Sequence, residues 1–558
     1  MNSKKFLSLI ISGLLMMSFT LTGCGKKSVT LNAKDKTQYI NTALKVANIK
    51  TLDVSKATDA YSSFIIQECM EALGREEIKN GKDVIVPAGA KNWNVSQDGK
   101  TWTFNLMNMK WTDGKDVTAQ DYVYSILRTL DPATGSQYAY LLTGSGITGA
   151  AAYNAGKGPK DAVGVKAADD HTLKITLDQP CAYFEKLLSN KLFTPQRQDL
   201  IEKQGDKWGA TADGWVYNGP FKIQTYNNGS KIVLIKNENY WDKKSVKLSK
   251  LVVSFVEDES ARMNSLLNGS IDGGTVDTAE WKDKLSKTGK FNYQKTVMPY
   301  TNYYFFNQKD KYFKNLKIRK AFQEAFDQAD YVKSVWDSLY APAYSFVPTS
   351  IAIGNDIYRT KVGSDVLPKK PAGDPKALLV EGLKEIGEDA DPSKMDVRDL
   401  EPGTDAITKK GGDYLINLYK KKLGVNLKVD YMQWAQYNDK ITKGDYQFSG
   451  MAWAADYNDP KTFLDMWESN AGVVPIYWVN KDYDALIDDS ASTMDQSKRF
   501  QDFVKAEKIL LSDDAVIIPT AYQVSHSFMP KYVKGVQQVL FAPTGYEYKY
   551  AYTQGRTK

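Results

Sequence analysis

Strand-like and helix-like segments alternate along almost the whole of this 558-residue chain. Such a pattern demands sheets covered by helices, because each element must bury an apolar face against another, and it places the chain in the α/β class. Thr101–Leu106 (TWTFNL) alternates polar residues with rings and aliphatics, as a half-buried strand does. Thr118 and Asp121 have the spacing of a helix start; DYVYSILRTL continues the helix until Asp131 and Pro132 stop it. Leu173–Leu177, Lys231–Ile235 and Leu251–Phe255 read as further strands, and Ile318–Trp336 as a helix. Residues 355–412, charged and rich in Gly, Pro and Asp, read as an irregular surface excursion. A helix at Tyr414–Lys422 and a strand at Val425–Tyr431 are expected after it. The length asks for more than one domain.

The amino-terminal end limits where such a fold operates. Lys4 and Lys5 precede Phe6–Leu21, an almost uncharged apolar stretch. It is short for a membrane span of ~20 residues but suits the core of a signal peptide. It closes in Leu21–Cys24 (LTGC), which resembles the lipobox of bacterial lipoproteins: an aliphatic residue, two small residues, and the cysteine whose thiol takes the lipid. The expectation is a signal peptide over residues 1–23, lipid on Cys24, and a polar tether over residues 24–37. Acyl chains would hold the protein at the extracytoplasmic face of the cell membrane without a spanning helix.

Composition excludes several function classes. Loss of Lys4 and Lys5 lowers the net charge of +7 by two, and acids and bases are interspersed, so no basic stripe offers itself to nucleic acid. Two histidines make a histidine-based metal site improbable, and no cofactor is expected. Cys69 and Cys181 could pair, although a chain of this size needs no disulfide to fold. The 34 tyrosines and 12 tryptophans suit a binding cleft as well as a core. Gly144–Gly149 matches G-x-G-x-x-G with Asp169 twenty residues beyond, but it follows a helix-like segment and leads into a loop, so a dinucleotide site is not expected. Asp456–Pro460 begins like a calcium loop, yet Lys461 replaces the required glycine and Pro460 offers no side-chain oxygen. No assembled catalytic constellation is present, so an enzyme, for instance a surface peptidase, is disfavoured.

A series of blocks carries a resemblance over nearly the whole chain after the leader. Trp93–Gly99 (WNVSQDG), TWTFNL, Lys110–Gly114 (KWTDG) and Val117–Asp121 (VTAQD) resemble the signature region of the oligopeptide- and dipeptide-binding proteins of ABC importers. Asp131 with Pro132, Gly164–Leu173, Asn218–Pro220, Lys236–Asp242 (KNENYWD), Ile318–Ala321 and Trp453–Pro460 (WAADYNDP) follow in family order. The resemblance implies a type II periplasmic-binding-protein fold, two lobes with a hinge and an extra domain inserted in the N-terminal lobe. The first lobe would comprise 38–70, 195–295 and 525–558, the inserted domain 71–194, and the second lobe 296–524. A peptide would lie between the lobes, and the closed, monomeric form would deliver it to an ABC permease.

The implied site has a chemical logic. A receptor for many peptides must recognise their backbone and their terminal ammonium, and pairing with strand edges is blind to side chains. By resemblance, Trp453, Ala454, Ala455 and Tyr457 form one edge region, Thr58, Asp59 and Ala60 supply the opposite edge, and Asp456 accepts the peptide ammonium. Trp434 and Trp453 would line side-chain pockets. Met107 stands where the family carries a basic residue, and Ile441 and Gly450 stand where some members place arginines that hold the carboxylate of short peptides. A receptor for peptide signals, or for a non-peptide solute, would use the same fold. If Cys24 carries the anchor, Cys24→Ala should shed a folded, binding-competent protein from the membrane; membrane retention of the variant at high salt, measured by fractionation, would contradict the anchor.

Overall fold

The computed structural model describes residues 34–556, so Cys24 and the leader lie outside the described residues. The first sheet runs Tyr39–Leu44, Lys250–Phe255, Lys231–Lys236, Phe221–Asn227, with only the first pair parallel. Its strands are the β-branched and aliphatic runs expected from the sequence, and Ile232, Leu234, Leu251 and Val253 on one face are fully buried.

A second, antiparallel sheet runs Ala90–Val95, Thr101–Leu106, Thr172–Thr176, Val165–Asp169. Thr101–Leu106 buries every second residue, Trp102, Phe104 and Leu106. The helix Ala119–Leu130 packs on this sheet and starts where expected: the Asp121 carboxylate accepts a hydrogen bond from Thr118 N at 2.9 Å. Gly144–Gly149 joins two short helices, Ala139–Gly144 and Ala150–Asn154, rather than a strand to a helix. Cys69 and Cys181 are free, buried thiols.

The third sheet has seven strands. Along it lie Gly274–Thr275, Ile517–Pro530, Phe291–Phe306, Phe448–Ala454, Arg398–Pro402 and Lys428–Met432, and Ala341–Pro342 pairs with Ile517–Pro530 off that path. Phe291–Phe306 and Ile517–Pro530 are the long members and pair antiparallel. At the end of Phe291–Phe306, Tyr303 and Phe305 enter one apolar core while Tyr304 and Phe306 enter another. The strand is therefore covered on both faces, which explains four consecutive aromatics. Midway along, Val297 opposes Val524 and Thr301 opposes Tyr522, so Met298–Tyr300 face the single residue Gln523. Such an excess bends the ribbon.

Two expectations are corrected. Ile318–Trp336 is two helices, Leu316–Ala325 and Gln328–Trp336, because the Asp327 side chain accepts from Asp330 N at 2.9 Å and caps a new start. Residues 355–412 are not a surface excursion. They contain the helix Pro375–Glu385, the start of the helix Ala406–Leu423, and the interior strand Arg398–Pro402, parallel to Lys428–Met432.

That strand hides two acids, Asp399 and Glu401, on one face. Tyr304 Oη donates to Glu401 Oε1 at 2.6 Å, whereas neither Asp399 oxygen has a conventional donor. Burial, with the Glu401 carboxyl beside it, holds Asp399 well above the usual carboxylate range, so Asp399 keeps its proton and offers it to Glu401. The unfolded chain releases that proton near pH ~4. Stability from this group is therefore full below that pH and declines as pH rises toward the raised folded value. Asp399→Asn supplies a permanent N–H donor to Glu401. Thermal unfolding should show the variant stabilised by about 1–3 kcal/mol at pH 8, with the advantage shrinking at pH 5; an advantage independent of pH would contradict the shared proton.

Candidate functional site

The bend at Met298–Tyr300 and Gln523 forms the back of a cavity of about 760 Å³. Its walls come from the first and third sheets, from the strand Gly74–Lys79 and from the segments around Thr58, Tyr138, Lys191 and Glu547. Tyr300 pairs with Ala454, and Ala455 N donates to Pro299 O at 2.9 Å, so the bend itself carries Ala454, Ala455 and Asp456 to the cavity wall. Arg398–Pro402 pairs with Phe448–Ala454 only at Phe448 and Ser449, which leaves Met451–Ala454 without a strand on that side. The Asp456 backbone is fixed by donation to Thr462 Oγ1 at 3.1 Å.

The same wall includes Thr58, Asp59 and Ala60. The sequence-based expectation of a strand edge is corrected here: Asp59 is the N-cap of the helix Ala60–Cys69, and its Oδ1 accepts from Tyr61 N and Ser62 N at 3.1 and 2.8 Å. The other oxygen, Oδ2, is buried without a hydrogen-bond partner. Tyr138 and Lys191 close the same corner, the Lys191 ammonium lying 4.1 Å from the centre of the Tyr138 ring. Burial pushes the Asp456 carboxyl up to about 6; the Tyr140 hydroxyl and Lys191 oppose the rise, and Asp465 adds to it. Burial pushes Lys191 down to about 8, against the pull of Asp59 and Asp456.

The floor is a buried charge cluster. Arg75 donates to both oxygens of Glu547 at 2.8 and 2.9 Å and twice to Glu71 Oε1 at 3.0 and 2.8 Å. Tyr240 bonds the other Glu71 oxygen. Glu68 beside them is pushed up to about 8 by burial and then by Glu547. The blocks that carried the sequence resemblance brace this floor from behind. Asn218 Oδ1 accepts from Glu71 N at 3.0 Å, Asn237 Nδ2 donates to Gly219 O at 2.9 Å, and Asn239 Nδ2 donates to Trp111 O at 3.3 Å. Gly219 is required to be small, since a Cβ there would stand 2.5 Å from the carbonyl carbon of Cys69.

Of the residues expected at the site, Thr58, Asp59, Ala60, Ala454, Ala455 and Asp456 share this cavity. Three others lie outside its wall. Trp453 turns into the neighbouring core and donates its Nε1 to Thr462 O at 2.7 Å. Tyr457 is buried and stacks on Tyr183 at 4.6 Å between ring centres. Trp434, 59% exposed, opens the helix Trp434–Lys443 and stacks on Tyr437 at 5.6 Å. Ile441 belongs to a buried core, and a Cβ on Gly450 would press on the Tyr304 ring at 2.8 Å and on Glu401 at 3.1 Å. Sequence reasoning missed Tyr138, Tyr140, Lys191 and the Arg75 cluster, which sit in segments without a chemical motif. Among the described residues, no group of His, Cys, Asp and Glu could hold a metal, and no helix is long and apolar enough to cross a membrane.

The profile described as Bacterial extracellular solute-binding proteins, family 5 Middle, matches residues 84–474. The dipeptide-binding protein DppE of Bacillus subtilis (strain 168) is 33% identical over 95% of this chain and 96% of its own. The oligopeptide-binding protein OppA of the same organism is 32% identical over 94% and 96%. The structure of Listeria monocytogenes OppA bound to peptide is similar with a TM-score of 0.74 at 30% identity, covering 94% of this chain and all of that one.

Proposed function

The chain belongs to family 5 of the bacterial extracellular solute-binding proteins, a family of binding proteins rather than enzymes, and from that premise we propose that it is a lipid-anchored receptor that encloses oligopeptides and delivers them to an ABC importer. One observation carries the reading: Asp456 stands at the end of an unpaired strand edge, on the wall of a cavity whose size suits a small ligand. A peptide paired along Met451–Ala454 would present its ammonium to Asp456, which is ionised at neutral pH and less so below about 6. Thr58, Asp59 and Ala60 would face the ligand from the other side. The relatives that bind dipeptides and oligopeptides support this ligand class.

The proposed lobes are residues 38–70 with 195–295 and 525–558, and residues 296–524, with 71–194 as the inserted domain. Both boundaries fall within the long strands Phe291–Phe306 and Ile517–Pro530, next to the bend at Met298–Tyr300, which is the natural hinge. The membrane anchor belongs to the same reading, through lipid on Cys24, as does an extracytoplasmic, monomeric state.

Asp456→Asn keeps the shape and removes the charge. Calorimetric titration at pH 7 should show peptide affinity falling by about 1.5–3 kcal/mol, roughly ten- to hundredfold. Wild-type affinity should also fall between pH 7 and pH 5, as Asp456 takes up a proton, and the variant should lack that fall. An unchanged affinity in the variant would remove Asp456 from the site. Closure on ligand should reduce the radius of gyration in small-angle scattering, because a ligand held from both sides makes its full set of contacts only in the closed state; an unchanged profile at saturating peptide would count against the hinge.

A further inference from the structure

The corner of the cavity around Asp456 already contains a cation. Four lysine and arginine side chains line the cavity, Lys45, Arg75, Lys191 and Arg262. Three are committed: Arg75 to Glu71 and Glu547, Lys45 and Arg262 to Asp277. Lys191 makes no ion pair within 4 Å among the described residues; its ammonium rests on the Tyr138 ring at 4.1 Å, and Tyr138 stacks on Tyr140 at 6.0 Å. Two carboxylates share this corner, and Asp59 Oδ2 is buried with no hydrogen-bond partner. A ring face holds an ammonium in place without neutralising it, so the charge of Lys191 remains available to both acids.

We propose that Lys191 is a tethered counter-cation of the ammonium site, and that it admits peptides whose amino terminus is blocked alongside peptides whose amino terminus is free. The inference rests on the reading that Asp456 faces the peptide's amino terminus. The charge balance makes the case. A peptide with a free ammonium brings a second cation to a corner that holds two carboxylates, and the charges match. A blocked peptide brings none, yet Lys191 still offsets one carboxylate, and the carboxyl groups of a closed cleft are not left without a cation. In a cleft with a lone aspartate and no lysine, a blocked terminus would strand a buried carboxylate without a partner, which is strongly unfavourable. Burial pushes Lys191 down to about 8, with Asp59 and then Asp456 holding it up, so it carries its charge at neutral pH. Among the described residues no hydrogen bond or ion pair joins the Lys191 side chain to the strand edge or the bend; its effect on the ligand passes through the two carboxylates and is one of selectivity.

The test is a cycle between Lys191 and the blocking group. A mixed tetrapeptide library and the same library after N-acetylation are offered together at pH 7 to the wild type, Lys191→Met and Lys191→Arg, and the bound fractions are read by mass spectrometry. The preference for free over acetylated peptides should be about tenfold stronger in Lys191→Met than in the wild type, a coupling of ordinary size for charges sharing one site. Lys191→Arg keeps the charge and should behave as the wild type, which separates loss of the cation from loss of packing. An equal preference in all three proteins, with Asp456→Asn still weakening the free peptides, overturns the role of Lys191 and leaves the ammonium reading standing. If Asp456→Asn alters neither pool, the ammonium reading falls and this proposal with it; retention of neither pool by the wild type overturns both.

Discussion

The backbone ladder between Phe291–Phe306 and Ile517–Pro530 is the constraint on which the rest of the molecule depends. These two strands belong to the small apolar core around Phe528 at one end and to the large cores on either side of Tyr303 and Tyr304 at the other. Each end is locked by burial of aromatic side chains, which contributes the largest favourable term available to a fold of this kind. Between the locked ends the register slips, most widely where Met298–Tyr300 face Gln523. The same irregularity carries Ala454–Asp456 to the cavity. The bend in the ribbon and this part of the cavity wall thus come from one local mismatch of three residues against one.

Charge organises the remainder. Arg75 is the buried cation among Glu71, Glu547 and Glu68, and burial, then the Glu547 charge, raises the affinity of Glu68 for its proton against the pull of Arg75. Such a cluster adds little net stability over an apolar one, but removal of either sign would leave the other stranded. Its value is positional: it ties the carboxy-terminal segment at Glu547 to the residues that follow the helix Ala60–Cys69. Asn218, Gly219, Asn237 and Asn239 press against this region through backbone bonds, so these two recognisable blocks serve as scaffold.

What the sequence made legible follows from how local each determinant is. Thr101–Leu106 and Ala119–Leu130 could be read because period-two burial and a capping pair are written within a few residues. Arg398–Pro402 could not, because its buried acids imitate a solvent-facing segment, and the groups that make them tolerable, Tyr304 and a shared proton, are distant in the chain. The break at Asp327 was overlooked because the flanking helices keep the same apolar period across it. At the site, family resemblance pointed to Ala454–Asp456 and Thr58–Ala60, which do share a cavity, whereas Trp434, Trp453 and Tyr457 are held elsewhere by ring stacking and an indole hydrogen bond. Lys191 has no local signal at all; only the fold sets it on Tyr138 beside two acids.

The surroundings of Gly450 bear on what this receptor can become. Its neighbours on the strand face are the Tyr304 ring and the Glu401 carboxyl, themselves immobilised in a core. An arginine at this position would meet the ring at its first carbon, and its guanidinium would be drawn inward to the buried acids rather than outward to a ligand. Ile441, the other position where the family resemblance implies a carboxylate-binding arginine in some members, is sealed in apolar packing. A single-step evolutionary path toward grasping the far end of a ligand of fixed length is therefore closed at both positions.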